Sequence, residues 1–138
     1  HIIGPYNQSF KRKINPNFHK SKNIIIFHGY LTKKKRNKIL ENCKYGLHFA
    51  KFEHFGRAIL EMHKHGMIVF VHNSGGSSEI VVDGKQKYSS MNELYNNIKK
   101  IINTKKVRNK IIKKYDKKFL RNYTDNKFQE NLKKYFLY

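Results

Sequence analysis

The sequence predicts an α/β fold in which a parallel sheet carries helices on both faces. Short apolar runs alternate with longer stretches of helical periodicity, which is the pattern of repeated strand–helix units. The run Met67–Val71 is apolar throughout, as expected of a parallel strand that is covered on both faces. A length of 138 residues suits one compact domain, so we expect residues 1–138 to form a single domain.

The strands are predicted from apolar runs that end in glycine or polar residues. Residues 1–4 have the pattern of the end of a strand, and three further strands follow along the chain. The predicted strands are His1–Gly4, Asn23–Phe27, Tyr45–Phe49 and Met67–Val71.

The helices between these strands have recognisable ends. Thr32 is a suitable N-cap for a helix that reaches about Asn42. A second helix is predicted from Phe55 to His65, with Gly66 as its C-terminal stop. Its core positions are Ala58, Ile59 and Met62. A single helical turn is expected at Glu79–Val82.

The rest of the chain is predicted to be helical. Ser90 and Glu93 have the spacing of a capping box, which opens a helix. Its inward positions are Leu94, Ile98, Ile101 and Ile102. A helix from about Lys105 to Phe119 follows, and Thr124 caps a last one. The latter carries Phe128, Leu132 and Phe136.

The formal charge of +21 is distributed unevenly. Residues 45–84 contain three basic and four acidic residues, so the excess lies in the flanking segments 33–36 and 99–118. These lysine runs fit either solvated helix faces or a surface for polyanions or anionic membrane. Because lysine far outnumbers arginine, no specific nucleic-acid partner is expected. One cysteine excludes a disulfide framework and suits a reducing compartment.

Residues 53–61 carry the first signs of a binding site. A strand ends shortly before Glu53, and a helix is predicted to begin near Gly56. Ligands of open parallel sheets bind at the carboxyl ends of the strands, where helix N-termini favour anions. Arg57 adds a cation there, and Glu61 lies further along the same helix. The pattern favours a phosphate-bearing ligand with hydroxyl groups.

Residues 72–79 contribute a second loop at the same predicted edge. Ser74, Gly75 and Gly76 follow the next strand, which fits either a simple turn or a ligand-binding loop. Glu79 is compatible with a helix-dipole partner or with a functional carboxylate. Five histidines lie between residues 48 and 72, but their spacing matches no metal-ligand signature, so no metal is expected. His63 and His65 are interpreted as helix-surface residues. The histidines are His48, His54, His63, His65 and His72.

Together these motifs resemble the donor-binding half of the retaining glycosyltransferases of family 4. Glu53 and Glu61 are separated by seven residues, with Phe55-Gly56 between them, and Gly75-Gly76-x-x-Glu79 follows. The resemblance runs from about Ile24 to Val82, with a looser match of the C-terminal helices. It implies a Rossmann-like domain, here a partial C-terminal domain of the two-domain GT-B fold.

The resemblance also implies roles for individual residues. Glu53 is the implied catalytic residue and hydrogen-bonds hydroxyls of the donor sugar, and Glu61 binds the ribose. The segment Phe55-Gly56-Arg57-Ala58 contacts the sugar and the diphosphate. Gly29 and Tyr30 lie beside the nucleobase, and Gly75 and Gly76 form a donor loop. The substrate implied is a nucleotide sugar such as GDP-mannose or a UDP-hexose, and no cofactor or catalytic metal is needed.

The resemblance further implies that the whole enzyme acts on a glycan or lipid-linked acceptor at the cytosolic face of a membrane or in the cytoplasm. The family's diphosphate-clamping Arg and Lys, and its N-terminal acceptor domain, are expected upstream of Ile2, so we expect this chain alone to be inactive. Two alternatives remain open from the sequence. One is a basic, non-catalytic domain for polyanions or an anionic membrane surface, and the other is a non-catalytic glycosyltransferase subunit.

Overall fold

The computed structural model describes residues 1–9, 25–115, 126, 127 and 130. Within these residues, the chain divides into two compact units, His1–Asn42 and Cys43–Tyr138. Each unit contains parallel strands and at least one α-helix, which confirms the predicted α/β class.

The described part of the first unit contains a two-stranded parallel sheet, one eight-residue helix and helical residues at positions 8 and 9. Strand β1 is Ile2–Ile3, strand β2 is Phe27–Gly29, and helix α1 is Lys33–Leu40. The second strand is predicted to begin at Asn23, but the described residues Ile25 and Ile26 do not belong to it, so this boundary is wrong. Strand β2 pairs with β1, and because β1 has only two residues, the pairing extends only from Phe27, opposite Ile2, to Gly29, opposite Ile3. The Thr32 cap is confirmed, since its side chain accepts a hydrogen bond from the Lys35 N–H.

The second unit is built on a three-stranded parallel sheet in the order β3-β4-β5. Strand β3 is Tyr45–His48, β4 is Ile68–His72, and β5 is Lys87–Tyr88. The central strand β4 is buried except at His72, as its apolar sequence predicts. Strand β5 lies where the sequence predicts only helix. It is too short to produce a period-two pattern, and an Asp83-capped 3₁₀ turn leads into it.

Between residues 43 and 115 this unit has four helices: α2 (Arg57–Lys64), α3 (Ser77–Ile80), α4 (Met91–Asn103) and α5 (Lys105–Lys114). The Ser90 cap of α4 is confirmed by its hydrogen bond from the Glu93 N–H. Two predicted core positions, Ala58 and Ile102, are exposed, because each lies at the edge of its helix's apolar face. The predicted continuation to Phe119 and the helix after Thr124 lie outside the described residues. No helix in the described ranges is long and apolar enough to cross a membrane.

The core of the second unit lies between the sheet and helices α4 and α5. Its buried members are Ile68, Phe70, Tyr88, Leu94, Ile101 and Ile111. His63 is also buried, with 2% of its surface exposed, so its assignment to the helix surface is wrong. The reason is its position at the C-terminal end of α2, where its ring packs on Tyr115 at 4.0 Å between ring centroids.

Candidate functional site

Two loops meet at the carboxyl edge of the three-stranded sheet. The first, residues 49–56, joins β3 to α2, and the second, residues 73–76, joins β4 to α3. The Gly76 N–H donates to the Glu53 carbonyl oxygen at 2.7 Å, and the Phe52 N–H donates to Ser74 Oγ at 3.0 Å. The two predicted site loops therefore form one bonded structure, at the edge where open parallel sheets bind ligands.

The Glu53 carboxylate is the charged centre of this structure. Its Oε1 accepts hydrogen bonds from the N–H groups of Gly56 and Phe55, each at 3.2 Å. Its Oε2 lies 3.4 Å from Nε2 of His48. The bonds from Gly56 and Phe55, together with the His48 ring, hold the pKa of the Glu53 carboxyl below its ordinary value despite an opposing effect of desolvation. The side chain is therefore an ionised hydrogen-bond acceptor at neutral pH.

The start of helix α2 divides the predicted phosphate-binding segment into two parts. Gly56 is its N-cap with φ of +60°, a left-handed conformation that glycine adopts without strain. The N–H groups of Phe55 and Gly56 point to Glu53, so they already have an acceptor. The N–H groups of Arg57 and Ala58 are not engaged by Glu53, and both residues are exposed in the first helical turn. These two are the donors that an anionic ligand would meet there.

The other predicted carboxylates occupy different positions. Glu61 is half-buried on α2 and shares a helix face with Arg57, four residues earlier. Glu79 is exposed in the first turn of α3, so both of its interpretations stand. Gly29 and Tyr30 lie in the first unit, at the end of β2, where Tyr30 is 85% exposed. Their contact with a nucleobase stays a prediction.

Gly75 and Gly76 are needed for the close approach of the two loops. Gly75 has φ of +61°, and a Cβ atom there would lie 2.8 Å from the Glu53 carbonyl oxygen. A Cβ atom on Gly76 would overlap the carbonyl oxygen of His54. The structure thus gives these glycines a packing role, while their contact with a donor stays a prediction.

Two polar residues of the site, His48 and His72, were not predicted to act there. His48 and His72 are the last residues of β3 and β4, and each ring reaches the 49–56 loop, directly or through Ser74. Nδ1 of His72 lies 2.8 Å from Ser74 Oγ. A histidine at the last position of two neighbouring strands was the available signal. In the described ranges, no three His, Cys, Asp or Glu residues are grouped to hold a metal ion.

Comparisons with known proteins agree with this architecture. The model of the family described as glycosyl transferases group 1 matches residues 1–118. An alpha-1,3/1,6-mannosyltransferase of Dictyostelium discoideum, ALG2, is 36% identical over 84 residues, which is 59% of this chain. The chain spans only 20% of the length of that relative. No solved structure shows a significant match. The family match over most of the chain confirms the resemblance drawn from Glu53, Glu61 and the Gly75-Gly76 loop, and the chain belongs to the glycosyl transferases group 1 family.

Proposed function

We propose that the full-length protein transfers a hexose from a nucleoside diphosphate sugar to a glycan or lipid-linked acceptor, with retention of configuration. The chain described above contributes the donor-binding part. The observation that carries the proposal is the Glu53 carboxylate, which is ionised, fixed by two backbone N–H groups and located at the carboxyl edge of the sheet. Mannose is the favoured hexose, because the matched relative is described as a mannosyltransferase.

The proposed chemistry assigns a different part of the donor to each group. An ionised carboxylate is a strong acceptor for paired sugar hydroxyls, which suits Glu53 to the hexose. Glu61 would accept the ribose hydroxyls from its position further along α2. Arg57 and the free first-turn N–H groups would stabilise the negative charge that develops on the departing diphosphate. This arrangement requires no metal ion, and the proposal includes none.

The charge distribution favours a peripheral contact between the protein and anionic lipid at the cytosolic face of a membrane. From Lys99 to Lys114 the sequence contains Lys and Arg but no acidic residue. Lysine side chains project to the surface along α4 and α5, and the exposed Ile102 and Ile112 lie among them. The exposed lysines are Lys99, Lys100, Lys105, Lys106, Lys110, Lys113 and Lys114. This combination suits a membrane that presents a lipid-linked acceptor.

The family relationship and the ordered Glu53 site weigh against a purely non-catalytic basic domain. The glycosyltransferase hypothesis and the basic-domain hypothesis differ in what they require of Glu53. A polyanion-binding domain needs lysines and gains nothing from an ionised carboxylate at the ligand edge of its sheet.

The test is donor use by the full-length protein carrying Glu53→Gln or Glu61→Gln. Because each change removes charged hydrogen bonds to the donor, we expect kcat/KM to fall about 10- to 100-fold. Transfer from GDP-mannose and from a panel of UDP-hexoses would be measured by product formation. Glu41→Gln is the matched control, since Glu41 ends helix α1 and belongs to no site. Unchanged transfer in both variants would refute the proposed site.

A further inference from the structure

The hydroxyl of Ser74 lies between the two loops of the site and has a partner on each side. Ser74 Oγ accepts the Phe52 N–H at 3.0 Å and lies 2.8 Å from Nδ1 of His72. A serine hydroxyl has one proton to donate, and the Phe52 contact uses only its acceptor capacity. The arrangement is complete when Ser74 donates its proton to Nδ1 of a neutral His72. A hydrogen-bonded chain then runs from strand β4 to the backbone of the 49–56 loop.

The backbone at the end of this chain is in a conformation that needs support. Phe52 has φ of +55°, in the left-handed region that residues other than glycine rarely occupy. Its side chain is 71% exposed, so packing of the ring contributes little to holding it there. The hydrogen bond from its N–H to Ser74 supplies this support, directly before Glu53.

The Glu53 residue is therefore fixed from the second loop at two points. The bond from Phe52 to Ser74 sets the backbone that precedes it. The bond from the Gly76 N–H holds its own carbonyl oxygen. Both partners, Ser74 and Gly76, lie in the segment that connects β4 to α3, whereas Glu53 lies in the loop between β3 and α2.

The anchor is itself rigidly held. The Ser74 N–H donates to the His72 carbonyl oxygen at 2.8 Å, and the Ser74 carbonyl accepts from the Ser77 hydroxyl at 2.9 Å. Ser77 is fully buried. His72 ends the central strand, and its ring lies edge-on to Tyr88 with 5.6 Å between ring centroids. Movement of Ser74 would therefore disturb strand β4 and helix α3 together.

We propose that Ser74 and His72 are positioning residues for Glu53. They act on the donor sugar through Glu53, by holding the left-handed backbone at Phe52. This inference rests on the proposed role of Glu53 as the group that binds the sugar. Its consequence is selective: loss of the Ser74 hydroxyl weakens binding of the sugar-bearing donor and leaves binding of the bare nucleoside diphosphate unchanged.

The first experiment compares Ser74→Ala with wild type in the full-length protein. Calorimetric titration with GDP-mannose and with GDP separates the sugar from the nucleotide. We expect the Kd for GDP-mannose to rise roughly three- to tenfold, the effect of one lost hydrogen bond. The Kd for GDP stays at the wild-type value. Ser78→Ala is the matched control, because its hydroxyl donates to the Gly75 carbonyl in the same turn without reaching the 49–56 loop.

The second experiment tests the histidine by loss and rescue. His72→Leu removes the acceptor of the Ser74 proton, and we expect the same rise in Kd for GDP-mannose. His72→Asn places an amide oxygen near the position of Nδ1, so we expect most of the affinity to return. The double variant His72→Leu with Ser74→Ala should bind no more weakly than either single variant, because the two residues act as one unit.

The outcomes separate this inference from the proposed function. If wild type binds neither GDP-mannose, a UDP-hexose nor their nucleoside diphosphates, the proposed function fails and the inference fails with it. If Glu53→Gln weakens GDP-mannose binding while Ser74→Ala does not, only the positioning role is overturned. It is also overturned if Ser74→Ala weakens GDP and GDP-mannose equally, since that is the result of general damage to the fold.

Discussion

Glu53 and His63 lie near opposite ends of helix α2, and their surroundings favour opposite charge states. Glu53 precedes α2, is half-buried and is stabilised in its charged form by the Gly56 and Phe55 N–H groups. His63 lies near the other end of α2, where burial lowers the pKa of its imidazole to about 4. Within the described part of the chain, neither of its ring nitrogens has a hydrogen-bond partner. The surroundings of Glu53 thus favour its charged form, whereas burial of His63 is a cost to stability.

The His63 environment predicts acid-sensitive stability. The pKa of His63 is about 4 in the folded chain and near 6.5 when unfolded, so only the unfolded chain takes up its proton between these values. The free energy of unfolding is therefore not reduced by His63 protonation above about pH 6.5. It falls by up to about 3 kcal/mol as the pH drops toward 4. We expect His63→Leu to abolish this loss and to raise the free energy of unfolding by about 1 kcal/mol at pH 7. Thermal unfolding at pH 7 and pH 5 measures both effects.

His65→Leu is the control for this measurement. It removes a neighbouring histidine that is only half-buried, so we expect it to retain the wild-type difference between pH 7 and pH 5. An equal pH-dependent loss in His63→Leu and wild type would contradict the assignment to His63.

The position of Glu53 between a strand and a helix could be predicted from the sequence, whereas the burial of His63 could not. The reason lies in the residues around each of them. Glu53 belongs to a motif whose residue types and spacing carry chemical information. His63 is at the end of a short helix, where periodicity alone does not tell which element will cover the last turn. Tyr115, which covers it, is more than fifty residues away in sequence. A contact of that range leaves no pattern around either residue.

At the scale of elements, the turn between β4 and α3 supports the loop between β3 and α2. Gly75 allows the turn to approach the Glu53 carbonyl, and the Gly76 N–H bonds to it. Among the described residues, four of the five strands and the principal helices could be predicted, because each has a clear apolar period or cap. Strand β5 could not, since two residues show no period. The hydrogen bond from the Gly76 N–H to the Glu53 carbonyl joins the loops through backbone atoms alone, which the side-chain pattern does not report.

A pair of glycine substitutions separates this loop contact from backbone strain. Gly75 and Gly66 both have positive φ, of +61° and +75°, but a Cβ atom meets the Phe52–Glu53 backbone only at Gly75. At Gly66 no atom lies within 4 Å of it. We expect Gly66→Ala to cost about 1 kcal/mol of stability and to leave donor binding intact. Gly75→Ala should carry that cost and also weaken GDP-mannose binding at least tenfold, as measured by titration of the full-length protein.

The comparison is decisive in either direction. Equal donor affinity in the two alanine variants would show that the turn does not support the Glu53 loop. A loss confined to Gly75→Ala, at similar thermal stability, would show that it does.

At the scale of the whole molecule, charge and chemistry occupy different segments. Residues 45–84 hold the candidate site and are nearly neutral, whereas residues 99–114 are basic without a single acid. Three cations of this basic segment have structural partners, and one of them, Lys99, places its Nζ 5.7 Å from the centroid of the Tyr95 ring. Lys114 reaches the Val82 carbonyl and Asp83, and Arg108 donates to the Ile102 carbonyl. The remaining exposed lysines are the ones available for an external partner.

Binding to lipid vesicles tests whether this face contacts membranes. Lys106, Lys110 and Lys113 share one face of α5, and each lysine near an anionic surface contributes about 1 kcal/mol. We expect the full-length protein with all three changed to Gln to lose at least tenfold in affinity for phosphatidylserine-containing vesicles. The binding should also weaken as salt rises, and vesicles of phosphatidylcholine alone should bind weakly.

The control changes Lys33, Lys34 and Lys35 of α1 to Gln, which removes the same charge elsewhere. An equal loss in both triple variants would mean that net charge alone is responsible, and stronger binding to single-stranded RNA than to the vesicles would point to a polyanion partner instead.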